Sequence, residues 1–170
     1  MQISFQHDIL PLKNELYRLA LRITLSREEA EDVVQDTMIK VWNNRDRWQE
    51  IDSIEAYCLT ICRNLSLDVL RKKDNQHQSI EEEDVLASQQ STQNLQEAII
   101  QKDRLQLIRQ LVDALPEKQR SCMQLRDFEG KPYKEIATIL NISEEQVKVN
   151  IFRARQTIKQ RYQDIEKQEK

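Results

Sequence analysis

The chain has 170 residues, a net charge of −3 and a mean hydropathy of −0.73. This length supports one or two small domains, and no apolar run is long enough to span a membrane. One glycine and three prolines leave few positions for tight turns, whereas residues that favour helices are abundant. The composition therefore predicts an all-α protein. The charged N-terminal sequence does not resemble a signal peptide, which predicts a cytoplasmic location.

Three helices are predicted in the N-terminal part of the chain. Apolar residues at helical spacing predict the first over about residues 8–24. Ser26 and Ser53 are suited to cap the second helix, which extends to about Asn44, and the third, which extends to about Lys73. We expect a compact bundle of these helices. The apolar pattern consists of Leu12, Leu16, Leu19, Ile23, Ala30, Val33, Val34, Ile39 and Val41 on the first two helices and, expected to face inward on the third, Ile54, Tyr57, Cys58, Ile61, Leu65 and Val69.

The cysteines are expected to pack in the core rather than to bind metal. Cys58 and Cys62 lie one helical turn apart, a spacing that would suit two metal ligands, but Ile61 and Leu65 share their apolar face. Free cysteine behaves as a small buried hydrophobe, and Cys122 completes no metal motif. The sequence also has no glycine-rich phosphate loop and no nucleophile motif. We therefore expect neither an enzyme nor a protein with a metal or another cofactor.

The composition changes at Asp74. Residues 74–94 are polar, rich in Gln and Ser, and show no sustained periodicity. They include four consecutive acids at residues 81–84. We predict a flexible acidic linker between two helical modules. If both modules contact nucleic acid, the charge of this linker would repel or mimic a polyanion.

Helical periodicity resumes in a second module over residues 95–165. Its first helix is expected to end at Pro116, and the next helix covers residues 117–128. Gly130 is suited to close that helix. Pro132 is suited to the first turn of the following helix. An N–H at that position has no acceptor within the helix, so the N–H that proline lacks is not needed there.

Residues 132–161 have the pattern of a helix-turn-helix. Asn141 stands where a helix closes in the left-handed conformation, which Asn tolerates. Ser143 and Gln146 form a capping box that begins the second helix. Along that helix apolar residues repeat every three or four positions, and the opposite stripe is basic with one aromatic residue. The inward residues are Val147, Ile151, Ala154 and Ile158, and the outward ones are Lys148, Phe152, Arg155 and Lys159, with Arg153 beside them.

The charge distribution favours nucleic-acid binding over an ordinary solvated surface. Residues 131–161 contain seven Lys and Arg against three Glu, although the whole chain is negative. Such segregated positive charge is what contact with phosphates requires. We therefore predict that the second helix of the pair enters a DNA major groove. The alternative is a surface hairpin with solvated charges.

The order of these elements resembles that of bacterial RNA polymerase sigma factors, most closely the short extracytoplasmic-function (ECF) group. The resemblance covers nearly the whole chain and is carried by residues 30–42, 53–73 and 114–158. It implies two small helical domains joined by the linker. The first, residues 5–73, is similar to sigma region 2, and the second, residues 95–165, is similar to sigma region 4.

The resemblance implies a subunit that binds core RNA polymerase, recognises a promoter and helps to melt it. Asp32, Gln35 and Asp36 are spaced to share one helix face. By resemblance, this face contacts the clamp helices of the largest polymerase subunit. An acidic polar face suits a partner that presents Arg and Lys. A solvated acidic helix face is the alternative.

The resemblance also places Trp48, Ile54, Asn64, Arg71 and Lys72 at the minus-ten promoter element. Capture of a single strand needs cations for the phosphates and a pocket for an extruded base. Trp48 could equally be a core aromatic residue. Arg71 and Lys72 could simply complete the C-terminus of a helix, which favours cations.

By resemblance, the minus-thirty-five promoter element is contacted by Lys148, Val149, Phe152, Arg153 and Arg155. Val149 stands at a DNA-facing position where the family frequently has a polar residue. This difference favours an apolar contact there, such as one with a thymine methyl group. Arg153 is suited to bind guanine O6 and N7 with two parallel hydrogen bonds.

Two other classes of function fit parts of the sequence. A free-standing helix-turn-helix regulator would act without polymerase, but it usually needs a dimer interface or a ligand pocket. An antagonist that imitates a sigma domain would not need both promoter-binding faces. Members of the ECF group are commonly held inactive by membrane-anchored anti-sigma proteins. The resemblance therefore implies an anti-sigma partner, and it implies no small-molecule substrate.

Overall fold

A computed structural model of the chain describes residues 2–77 and 104–168. Every regular element in these two ranges is helical, which confirms the predicted all-α class. None of these helices combines the length and apolar content needed to cross a membrane. Within the described ranges the α-helices are Lys13–Thr24 (α1), Arg27–Asn43 (α2), Ile54–His77 (α3), Arg104–Asp113 (α4), Glu117–Met123 (α5), Tyr133–Leu140 (α6) and Glu144–Gln168 (α7).

The first predicted helix is divided into three pieces. Phe5–Ile9 forms a π-type turn, Leu10–Leu12 forms a 3-10 turn, and α1 begins only at Lys13. Pro11 accounts for the division, because a proline lacks the backbone N–H of a regular helix and its ring clashes with the preceding turn. The predicted start near residue 8 is therefore five residues too early for a regular α-helix.

The predicted starts of α2 and α3 are confirmed by their caps. The Ser26 hydroxyl accepts a hydrogen bond from the Glu29 N–H at 3.3 Å. The Ser53 hydroxyl accepts one from the Ala56 N–H at 3.2 Å. Each bond satisfies one of the amide groups that a helix N-terminus leaves without a helical partner. Between the two helices, Arg45–Glu50 forms a 3-10 helix where a loop is predicted.

The third helix extends further than predicted. We expect the linker to begin at Asp74, but α3 continues through His77. No Gly or Pro stands there to stop a helix, which is the physical reason for the extension. Residues 78–103 lie outside the described residues. They include most of the predicted linker and the start of the next predicted helix, so the flexibility of the linker and the boundary at residue 95 stay predictions.

One residue of the apolar pattern on α2 is exposed. Ile39 on α2 has 58% of its surface exposed, whereas Val33, Thr37 and Val41 are buried. Ile39 is two residues from Thr37 and two from Val41. At about 100° per residue, it points roughly 200° away from each of them. The apolar character of Ile39 was therefore a poor guide to its direction.

The C-terminal unit contains the predicted helix-turn-helix. Gly130 and Asn141 both have the left-handed backbone expected of closing residues, with φ of 71° and 56°. Ser143 and Gln146 exchange the two hydrogen bonds of a capping box, each at 3.1 Å. The helix predicted over residues 117–128 is α5 followed by a π-type turn. The predicted closing residues and the predicted capping box of this unit are therefore confirmed, whereas its first helix ends at Asp113, before the predicted end at Pro116.

The N-terminal and C-terminal units pack against each other in the structure. α3 lies against α6, and α1 lies against α5. One continuous apolar core includes buried residues of both units, among them Leu19 and Cys62 on one side and Leu125 and Ile136 on the other. A separate small core, which includes Ala154, joins α7 to α4 and α5. The helix-turn-helix is thus attached to the N-terminal bundle as well as to its own unit.

The three cysteines lie in the core, as predicted, and we expect them to be unreactive in the folded chain. Cys58, Cys62 and Cys122 are fully buried, and burial raises the pKa of each thiol to about 12. Iodoacetamide reacts with the thiolate, so at about pH 8 it should modify the three only in denaturant. Mass spectrometry measures this, and rapid modification of the native chain would contradict the packing. Because the thiols ionise more easily when unfolded, stability should also fall as the pH rises above about 9.

Candidate nucleic-acid and protein interfaces

The two faces predicted for α7 are present in the structure. Val147, Ile151 and Ala154 are buried against the rest of the unit. On the opposite side Phe152 is 63% exposed and Val149, three residues away on the same helix, is 45% exposed, so the two form an exposed apolar pair. The residues assigned to this interface are all exposed: Lys148, Val149, Phe152, Arg153 and Arg155.

A tyrosine outside the predicted set lies between two cations at the start of the helix-turn-helix. The Tyr133 ring centroid is 4.5 Å from the guanidinium carbon of Arg126 and 5.8 Å from the Lys148 ammonium. Both distances are typical of cation–π contacts. Tyr133 therefore restrains Lys148 on the exposed side of α7. An aromatic residue directly after Pro132 is the sequence signal that could have identified it.

Two neighbouring arginines of α7 differ in their environment. The Arg155 guanidinium donates to both carboxylate oxygens of Asp127, at 2.5 and 3.2 Å. These hydrogen bonds raise the pKa of Arg155, and partial burial opposes the rise. For Arg153 the structure shows no hydrogen bond or ion pair within the described residues, and its side chain is exposed. Arg153 is thus available to a ligand, whereas Arg155 is held within the unit.

One of the seven basic residues counted from the sequence is neutralised by the N-terminal unit. The Lys131 ammonium lies 2.8 Å from a Glu15 carboxylate oxygen and also contacts the Glu55 carboxylate. Its side chain is 13% exposed. Lys131 therefore contributes little to the exposed positive charge beside α7. This pairing joins residues far apart in the chain, and no local pattern indicates it.

The residues assigned to the minus-ten element do not share one environment. Asn64, Arg71 and Lys72 are exposed along α3. Arg71 lies 3.6 Å from Asp68 in a solvent-exposed pair, which is weak and easily exchanged for a phosphate contact. Ile54 is half-buried against the bundle core. The exposed cations and the amide of α3 thus lie where a nucleic acid can reach them.

Trp48 is a core residue in the structure. Its side chain is only 7% exposed, and its indole N–H donates to the Val41 carbonyl at 3.0 Å. This arrangement supports the core alternative and makes Trp48 a support for the 3-10 helix. Trp42 is instead the exposed tryptophan. Its ring packs edge-on against the Phe5 ring, and the guanidinium carbon of Arg45 lies 4.6 Å from its ring centroid. Trp42 was not among the residues predicted for any interface.

The predicted acidic face on α2 is exposed. Asp32, Gln35 and Asp36 all point to solvent. One turn further along the helix, Ile39 and Trp42 are exposed as well, at 58% and 46%. Exposed apolar side chains with polar residues at their edge are typical of a protein-binding surface. The apolar part of this surface was not among the predicted interface residues.

A groove separates the two units beside α3 and α6. One wall is formed by residues 51–60 and the other by residues 132–138, and its lining is mostly apolar. The lining includes Ala56, Tyr57, Thr60, Pro132, Lys134 and Thr138. The start of the helix-turn-helix therefore lies opposite the start of α3.

Two family models match the two units in order. The model described as Sigma-70 region 2 matches residues 9–76, and the model described as Sigma-70, region 4 matches residues 105–158. Together they cover most of the chain. Each match coincides with one of the two helical units of the structure.

Similar proteins share this order of regions. The chain is 30% identical over 147 residues to the ECF RNA polymerase sigma factor SigE of Mycolicibacterium smegmatis, covering 86% of this chain and 56% of that protein. It is 26% identical over 168 residues to the ECF RNA polymerase sigma factor SigW of Bacillus subtilis, covering 93% and 89%. The chain thus spans little more than half of the first relative and most of the second.

Two solved structures have a similar fold. One is the sigma factor RpoE in complex with the anti-sigma factor NepR from Bartonella quintana, with a TM-score of 0.70, 21% identity and coverage of 96% of each chain. The other is CnrH in complex with the cytosolic domain of CnrY, with a TM-score of 0.66, 18% identity and coverage of 94% and 88%. At these identities the likeness concerns the fold.

A protein with a region 2 unit followed by a region 4 helix-turn-helix is an RNA polymerase sigma factor of the sigma-70 family, and this chain belongs to that family. Within it the chain is a member of the extracytoplasmic-function group, which directs RNA polymerase to promoters. The free-standing regulator is not favoured, because the N-terminal unit is accounted for by region 2.

Proposed function

We propose that each unit of this sigma factor recognises a different promoter element. The N-terminal unit binds core RNA polymerase through α2 and holds the minus-ten element along α3. The C-terminal unit binds the minus-thirty-five element through α7. The observation that carries this proposal is that α7, the second helix of the helix-turn-helix, has one buried side and one exposed side. The exposed side carries Lys148 and Arg153 beside two exposed apolar side chains.

At the minus-thirty-five element, Lys148, Val149, Phe152 and Arg153 contact base edges or phosphates. Arg153 is the strongest candidate for base recognition, because its guanidinium is exposed and can form two parallel bonds to guanine. Val149 suits the methyl group of a thymine. Arg155 lies at the flank of this surface, where its ion pair with Asp127 fixes the position of its guanidinium.

At the minus-ten element, Asn64, Arg71 and Lys72 hold the opened strand. The two cations neutralise phosphates, and the Asn64 amide can hydrogen-bond a base edge. Ile54 contributes apolar surface at the start of α3. Trp48 acts indirectly, because it is buried and supports the 3-10 helix before α3.

On α2, the acidic face of Asp32, Gln35 and Asp36 binds core polymerase, and the exposed Ile39 and Trp42 extend that surface. We further propose that the chain is not an enzyme and that it acts in the cytoplasm, where the polymerase and promoters are. An anti-sigma protein is proposed as a further partner, since both similar structures were solved with one.

Polymerase dependence tests this proposal. The purified chain alone should bind a promoter duplex weakly, because one helix-turn-helix makes few phosphate contacts and the net charge of the chain is negative. With core polymerase added, it should support run-off transcription from specific promoters. Duplex binding is measured by fluorescence anisotropy and transcription by labelled transcripts. Tight operator binding by the chain alone, without transcription from any host promoter, would instead identify a free-standing regulator.

A further inference from the structure

Arg155 stands on the exposed stripe of α7 but is paired with an acid. It follows Phe152 by about one helical turn and Lys148 by about two, so the three side chains project from one side of the helix. The Arg155 guanidinium nonetheless donates to both carboxylate oxygens of Asp127, at 2.5 and 3.2 Å. Asp127 belongs to the π-type turn Gln124–Phe128, which precedes the helix-turn-helix. An acid from a neighbouring element therefore occupies a cation of the helix assigned to DNA.

The geometry of this pair is the one that arginine also uses to bind a phosphate. Two N–H groups of a guanidinium can bind two oxygens of either a carboxylate or a phosphate. The Arg155 side chain is 52% exposed and the Asp127 side chain is 27% exposed, so a phosphate can approach the pair from solvent. It can bind Arg155 in the same way only after it has displaced Asp127. The carboxylate thus competes with any phosphate for this guanidinium.

A different restraint acts on two other cations of this surface. The Arg126 guanidinium carbon and the Lys148 ammonium nitrogen lie 4.5 and 5.8 Å from the ring centroid of Tyr133. An aromatic ring orients a cation and leaves its charge in place, whereas a carboxylate cancels the charge. Attraction to DNA depends on the number of phosphates that cations neutralise. Tyr133 therefore preserves this attraction, and Asp127 reduces it.

The turn that carries Asp127 is fixed in place by other contacts. Gln124 and Leu125, which belong to the same turn, are buried. The Gly130 N–H donates to the Arg126 carbonyl at 3.0 Å and closes the turn. Ion pairs that are exposed to solvent contribute little to folding. Removal of the Asp127 charge should therefore leave the fold intact, so that an effect on DNA binding can be measured by itself.

We propose that Asp127 competes with the DNA backbone for Arg155 and thereby lowers the affinity of the chain for DNA of any sequence. This inference rests on the proposed function, in which α7 binds duplex DNA. Contacts to phosphates add affinity for every sequence, whereas contacts to base edges select among sequences. Withholding Arg155 from phosphates therefore weakens binding without altering the discrimination assigned to Arg153. Less of the free chain is then bound to DNA that contains no promoter.

Neutral substitutions at Asp127 test the proposal on the full chain. The variants are Asp127→Asn, Asp127→Ala, Arg155→Ala, and Arg155→Ala combined with Asp127→Asn. Binding to a short labelled DNA duplex of mixed sequence is measured by fluorescence anisotropy at several salt concentrations. Asp164→Asn is the matched control, because Asp164 is exposed near the far end of α7 and its substitution changes the net charge equally. Circular dichroism measures the helical content of every variant.

Both neutral variants of Asp127 should bind the duplex about three- to tenfold more tightly than the unmodified chain. Their binding should also depend more steeply on salt, by about one further released ion, because Arg155 then neutralises a phosphate. Arg155→Ala should weaken binding more in the Asp127→Asn chain than in the unmodified chain. Asp164→Asn should change the affinity by less than about twofold, since salt screens a distant charge.

Four results would overturn the proposal and leave the proposed function standing. Equal or weaker binding by the Asp127 variants is the first, and weaker binding would show that Asp127 positions Arg155 for DNA. An equal loss from Arg155→Ala in both chains, an equal gain from Asp164→Asn, and a loss of helical content in both Asp127 variants are the others. If the unmodified chain with core polymerase supported no transcription from host promoters, the proposed function would fail, and this inference with it.

Discussion

Replacing Asp32, Gln35 and Asp36 together with Ala is expected to weaken binding to core RNA polymerase by about a hundredfold. All three side chains are exposed on α2, so nothing in the core is disturbed. Ala is also the best helix former, so the helical content should not change. The loss is expected because the variant lacks two carboxylates and an amide that we propose to contact cationic groups of the polymerase. Transcription should fall by a similar factor at limiting concentrations of the chain.

A matched control is available at the other end of the molecule. Gln163, Asp164 and Glu166 are also exposed on one helix and also comprise two acids and one Gln. Their replacement with Ala changes the net charge equally but lies far along α7. Binding to core RNA polymerase is measured by co-purification and by fluorescence anisotropy. We expect the control variant to bind normally and the α2 variant to bind weakly. If both triple variants bound polymerase like the unmodified chain, the face on α2 would be ordinary solvated surface.

The second large effect is expected at Arg153. We expect Arg153→Ala to relax the preference for one base pair of the minus-thirty-five element by about 1–3 kcal/mol, or roughly five- to 150-fold. The guanidinium is exposed, and the buried Val147, Ile151 and Ala154 fix the side of α7 from which it projects. Loss of the proposed bidentate contact to guanine should therefore leave that base unrecognised while the helix stays in place.

Lys159→Ala is the matched control for Arg153→Ala. Lys159 is exposed on the same helix, and we expect it to contact phosphate rather than bases. Its loss should weaken binding to all promoter sequences equally. It should also reduce the slope of the logarithm of the binding constant against the logarithm of the salt concentration by about one. Both variants, assembled with core polymerase, are compared on single-base promoter changes at two salt concentrations. Full base preference in Arg153→Ala would assign base recognition to another residue, and the fold would be unaffected.

Local sequence determined the positions and the faces of most helices. Ser26, Ser53 and the pair Ser143 and Gln146 form the predicted caps, because a cap joins groups only two or three residues apart. The left-handed Asn141 follows from its own backbone preference in the same way. The buried and exposed stripes of α7 follow from helical periodicity. Interactions of this range can be inferred from the sequence with no knowledge of the rest of the fold.

Tertiary structure decided the features that depend on residues distant in the chain. Arg18 meets Glu129 across 111 positions and Arg120 meets the Arg22 carbonyl across 98, so no local pattern indicates either contact. Trp48 is buried and Ile39 exposed because helix packing, and not apolar character, determines which side of a helix is covered. The sequence therefore determined a two-part sigma factor with a helix-turn-helix. Only packing decided that its two units dock, because an ion pair forms where the fold brings the charges together.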